Sequence, residues 1–118
     1  MPTLRQTATT LGALALASLI APTAEAQGEA LSAQEITRLH ADQCISYWGP
    51  SQGTQCFTAD GRTNYNDQSY GTDTGRWGLR GDEMCVDWDG EAGGFDCGPI
   101  WRVDAQTFTD GEYSWTID

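Results

Sequence analysis

Four cysteines in two equally spaced pairs constrain this chain more than any other feature. Cys44 and Cys56 are separated by the same interval as Cys85 and Cys97. Four cysteines allow three disulfide connectivities. Each pair here is symmetric about a glycine-bearing turn, centred at Pro50 and at Glu91, and the two segments echo each other. "DQCISYWG" and "DEMCVDWDG" both follow the cysteine with an aliphatic, a polar and an aromatic residue, with Gly five positions on. If each segment is a hairpin, its cysteines stand opposite one another at bridging distance. That favours Cys44–Cys56 and Cys85–Cys97. Zinc is disfavoured, because its sites use close CxxC-type pairs.

The grammar around the cysteines is that of short strands and turns. "QCISYW" alternates Ile45 and Tyr47 against Cys44, Ser46 and Trp48. "QCFTA" and "RTNY" flank Asp60-Gly61, and "TFT" and "EYSWTI" flank Asp110-Gly111, both strong hairpin signals. "GRWGL", "MCVDW" and "PIWRV" complete seven or eight short strands. The polar stretch Asn66 to Thr74 reads as a mobile loop. Ahead of the strands, "LSAQEITRLHA" carries a capping box (Ser32, Glu35) and a hydrophobic staple (Leu31, Ile36). The expected fold is mainly β: an N-terminal helix, then a small antiparallel meander, a half-open sheet or small barrel stapled by disulfides. The helix covers one face or plugs one end.

Near its start the chain carries Arg5, the apolar run Leu11 to Ala21 and a small-x-small site at Ala24-Glu25-Ala26, which together read as a cleaved secretory signal peptide over residues 1–26. The apolar run is shorter than the roughly 20 residues that span a bilayer. Residues 27–118 then form one domain, of a size for which staples are the usual supplement to a small core. Paired cysteines fit the periplasm or the exterior.

The net charge of −11 survives cleavage, because Glu25 and Arg5 leave together, and the chain has no lysine. Such a polyanion repels nucleic acid and anionic lipid. It suits solubility and a positively charged partner.

Candidate chemistry concentrates in "CVDWDGEAGGFDC". Counted as a calcium loop from Asp87, positions 1, 3 and 5 are Asp87, Asp89 and Glu91. Position 6 is Ala92 in place of Gly and position 12 is Gly98 in place of Glu, so the template fails where it is most specific. No metal or other cofactor is expected. Asp73-Thr74-Gly75 spells an aspartic-protease triplet, but the mechanism needs two such aspartates sharing a proton. His40, the sole histidine, stands near the helix C-terminus, where the dipole favours a semi-buried structural role. No catalytic residue is assigned.

Five tryptophans, one in nearly every strand, supply much of the core. Trp48 and Trp115 alternate with polar neighbours and could line an exposed face able to stack on sugar rings.

In order, "SAQEI", "FTADGR", "GRW", "CVDW" and a following cysteine resemble a family of small exported bacterial proteins with no established activity. The resemblance implies an exported structural or binding protein and carries no catalytic residue. The leading expectation is a non-catalytic envelope protein that contacts a basic protein, in the manner of an inhibitor, through its acidic tip (Asp87, Asp89, Glu91, Asp96). The alternatives are a glycan-binding module using Trp48 and Trp115, and a hydrolase using Asp87, Asp89 and Asp96.

Overall fold

The computed structural model describes residues 28–90 and 94–118. The expected leader and Glu91 lie outside them. The chain forms one helix, α1 (Ala33–His40), followed by nine strands. These are β1 (Gln43–Trp48), β2 (Gly53–Phe57), β3 (Arg62–Asp67), β4 (Gly71–Arg80), β5 (Glu83–Trp88), β6 (Asp96–Gly98), β7 (Trp101–Arg102), β8 (Thr107–Thr109) and β9 (Ser114–Ile117).

Every pairing is antiparallel, in the order β6-β5-β4-β3-β2-β1-β9-β8-β7. The two outer strands, β6 and β7, are consecutive in the chain, with Pro99 and Ile100 between them. Flat, such a sheet would be about 40 Å wide, whereas the link from Gly98 to Trp101 reaches at most about 10 Å. The sheet must therefore curl. An even number of antiparallel steps separates β6 from β7, so they run in the same direction and act as one bent strand. Its first part pairs with β5 and its second with β8. The result is an up-and-down barrel of eight strands in effect. Pro99 sits at the bend, where its missing N–H breaks no ladder bond.

Glu29 to Leu31 lie along β7. The Leu31 N–H donates to the Ile100 carbonyl, and the Arg102 N–H to that of Glu29, both at 2.8 Å. Helix α1 follows at once, with both halves of the capping box formed: Ser32 Oγ accepts from the Glu35 N–H, and Glu35 Oε1 from the Ser32 N–H. Asp82, in the β4–β5 turn, accepts from the Ala33 N–H at 2.8 Å. The helix packs on β1 and β5, which are four strands apart in the sheet. It therefore crosses the end of the barrel as a plug. Ile36 and His40, one turn apart, point inward and are wholly buried.

Around the plug lies the core: Leu31, Ile36, Ile45, Phe57, Trp77, Ile100, Phe108 and Trp115. Alternation along the strands sends Ile45 and Tyr47 inward and Cys44 outward, and likewise Met84 and Val86 inward and Cys85 outward. Both disulfides, Cys44–Cys56 and Cys85–Cys97, form between directly paired residues on the outer face. The second staple is the more enclosed: Cys85 is only 5% exposed, and Cys97 contributes to the lining of the barrel cavity.

One expectation fails. Residues 66–74 are not a loop: β3 runs to Asp67, the chain turns over Gln68 to Tyr70, and β4 starts at Gly71. Asp67 Oδ1 accepts from the N–H groups of Ser69 and Tyr70 and so builds the turn. Gly71 takes the positive φ of 79° that ends it. The polarity there reflects interior and surface side chains of regular strands, not loss of structure.

Candidate functional site

The barrel interior has two unlike halves. Beside α1 it is filled. Phe57, Phe108 and Trp115 meet the His40 ring edge-on, with centroids 5.3, 6.4 and 6.1 Å away. His40 Nδ1–H donates to the Ile36 carbonyl at 2.8 Å, and Nε2 accepts from Trp115 Nε1–H at 3.2 Å. Both nitrogens are committed in the neutral ring. Burial pushes the pKa below its ordinary value, against the opposing pull of the Ile36 carbonyl. The semi-buried, dipole-favoured histidine expected from sequence is therefore corrected: desolvation wins, and the ring is a neutral core group.

Towards the other end, the interior stays open as a cavity of about 860 Å³. All four tyrosines, Tyr47, Tyr65, Tyr70 and Tyr113, line it with Trp88. Tyr47 and Tyr113 meet edge to face at 5.5 Å, and Tyr65 and Trp88 at 4.7 Å. Trp88 lies over Gly75, where a Cβ would come within 3.0 Å of its ring.

Asp67 is the most buried of the acidic groups of the wall, only 5% exposed. Its Oδ2 accepts from the hydroxyls of Tyr47 (2.7 Å) and Ser51 (2.6 Å), and its Oδ1 from the N–H groups of Ser69 (2.7 Å) and Tyr70 (3.0 Å). Ser51 Oγ also lies 3.0 Å from the Tyr113 hydroxyl, extending the network. Burial alone would raise the Asp67 pKa. The four donors outweigh it and hold the carboxyl at about 2. Tyr47 is driven the other way, by burial first and by the carboxylate to which it donates. The remaining acids of the lining are Asp73, Asp96, Asp110 and Glu112. Among the described residues the lining contains no lysine, arginine or histidine.

The residues singled out from sequence are scattered. Trp48 is 44% exposed on the outer face, paired with Ser114, while Trp115 points inward beside Tyr47 and is 6% exposed. They occupy opposite faces of the sheet and share no platform. Asp87 is on the outer face, ion-paired with Arg76 at 2.7 Å. Asp89 is exposed and accepts from the Thr74 hydroxyl at 2.7 Å. Of the described acids of the tip, Asp96 alone lines the cavity. The triplet Asp73-Thr74-Gly75 lies within β4, where Asp73 accepts from the N–H groups of Thr74 and Gly90 and so pins the end of β5. Among the described residues no three His, Cys, Asp or Glu side chains gather as a metal-ligand set. No described helix is long and apolar enough to cross a membrane.

Sequence reading missed Asp67, Tyr65 and Ser51. Asp67 fell in the stretch read as a loop. Tyr47 carried a signal, because its alternation with Ile45 already placed it on the inner face.

No family model, curated protein or solved structure matches this chain.

Proposed function

We propose that this chain is an exported, non-catalytic binding domain of the cell envelope, periplasmic or secreted, that holds a small ligand inside its barrel. The observation that carries the reading is the division of the interior. A chain this short needs its core, yet the barrel keeps a cavity of about 860 Å³ walled by aromatic rings and hydrogen-bonded polar groups. Small-molecule sites have this size, roughly 300–1,000 Å³, and this mixture of apolar surface with a few placed polar groups. Eight strands enclose room for one such ligand.

The leader-like N-terminus and the two disulfides support an oxidising destination. The net charge of −11 supports a positively charged partner over an anionic one. A sugar platform built from Trp48 and Trp115 together draws no support from residues on opposite faces. Asp87 and Asp89, engaged by Arg76 and Thr74 on the outside, lend none to a shared catalytic centre with Asp96.

The test is entry of the neutral probe N-phenyl-1-naphthylamine, whose fluorescence rises in apolar surroundings. The disulfide-bonded mature chain should give a saturable, one-to-one enhancement. Gln55 lines the cavity, so Gln55→Trp should abolish the signal while leaving both disulfides mapped as before. Absence of enhancement, or enhancement indifferent to this filling, would reject the reading.

A further inference from the structure

We propose that the ligand of this cavity is an organic monocation without strong N–H donors, such as a quaternary ammonium carried on an apolar or aromatic body. The proposal rests on the binding role above and extends it to the charge and headgroup of the occupant.

The first observation is the sign of the wall. Five acidic side chains line the cavity and no basic one does among the described residues. An anionic ligand would meet only like charge. The second is the state of Asp67. Three ion pairs occur among the described residues, Arg76–Asp87, Arg80–Glu83 and Arg102–Glu35, and none includes Asp67. The carboxylate is stabilised by neutral donors and left uncompensated, so its field extends into the cavity. A buried charge usually has a partner, and an entering cation would supply it.

The third observation selects the kind of cation. A carboxylate offers about four lone-pair positions, and Asp67 already accepts four hydrogen bonds. A primary ammonium reaching it would have to displace a donor and would lose its own hydration without full replacement. A quaternary ammonium has no N–H to satisfy and is attracted by the field and by ring faces alone. Those faces are present. Tyr47 donates its hydroxyl proton towards a carboxylate, which enriches its ring in electrons. Tyr113 stands edge-on to Tyr47, and the Tyr65–Trp88 pair lines the same space. The cavity volume exceeds that of a single inserted lysine side chain several-fold, which favours a free small molecule over a residue of a docked protein.

The experiment titrates intrinsic tyrosine and tryptophan fluorescence of the disulfide-bonded mature chain with three probes of similar shape. They are benzyltrimethylammonium, its neutral isostere neopentylbenzene, and the anion benzenesulfonate. The cation should bind about tenfold more tightly than the neutral isostere, with the anion weakest. Added salt should erode that preference. In Asp67→Asn the preference should shrink towards unity. The wild-type comparison decides the matter should that variant not fold, and Glu112→Gln at the cavity provides a second charge deletion that should weaken the cation alone. Equal or better binding of the neutral isostere would overturn the charge assignment while leaving a ligand cavity in place. Failure of all three probes at millimolar concentration would overturn both.

Discussion

Tyr47 on β1 donates its hydroxyl to Asp67 on β3 at 2.7 Å, although β2 runs between them. The crossing depends on Gly53, which pairs with Tyr47 on one side and Asp67 on the other. A Cβ at position 53 would lie 2.6 Å from the Tyr47 hydroxyl and 2.2 Å from the Asn66 carbonyl oxygen. An absent side chain on one strand thus lets the strands on either side share a hydrogen bond.

Gly53→Ala should therefore be destabilising out of proportion to one methyl group, by about 1–3 kcal/mol, because the backbone of β3 or the Tyr47 ring must move. Urea denaturation followed by tryptophan fluorescence measures it. An unchanged midpoint would show that the crossing is not tightly packed.

Stability should fall in two steps on acidification. His40 has a folded pKa below its ordinary 6.5. The unfolded chain then takes up its proton first, so the contribution is intact above 6.5 and is lost as pH falls below it. Asp67 has a folded value of about 2 against an ordinary 3.8. Its contribution is intact above 3.8 and disappears as pH falls towards 2. Thermal unfolding against pH should lose the first step in His40→Leu and the second in Asp67→Asn. A Tm that rises on acidification below 6.5 would contradict the neutral, Nδ1-protonated histidine.

Non-reducing peptide mapping should join Cys44 to Cys56 and Cys85 to Cys97. Each bond closes a loop of sequence separation 12, for which chain entropy assigns about 3 kcal/mol. The two staples join different strand pairs, β1–β2 and β5–β6. Paired Cys→Ser replacements should lower stability by amounts that add. A crossed linkage in the peptide map would refute the arrangement.

Asp87→Asn should be nearly silent. Its ion pair with Arg76 joins side chains 20% and 58% exposed on the outer face, a setting in which ion pairs contribute less than about 1 kcal/mol. Probe binding inside the barrel should not change. A large loss of binding would return the acidic tip to the functional site.

The hairpins were legible because their signals are local. Asp60-Gly61, Asp110-Gly111 and the matched cysteine spacings each report on residues a few positions apart, and the helix announced itself through Ser32 and Glu35. Asp67 was illegible for the opposite reason. Its partners Tyr47 and Ser51 come from another strand and another turn, and polarity in "NDQSYGTDT" looks the same whether side chains face solvent or a wet interior. His40 was misjudged in degree: no local signal says that Trp115, at the far end of the chain, supplies the proton that its ring accepts. The bend at Pro99 needed the whole strand order before it could be recognised as the closure of a barrel.

Seven of the eight strand pairings join near neighbours in the chain, and the eighth, between β1 and β9, aligns Ile45 with Ile117. In time, this one pairing differs from the rest. Hairpins form within microseconds, whereas β9 must find β1 after nearly the entire domain has been laid down, against the largest loop-closure entropy in the fold. Neither disulfide links β1 to β9; each lies within one hairpin and only trims the intervening loop. The folding rate of this barrel is accordingly governed by a single late encounter between its first strand and its last.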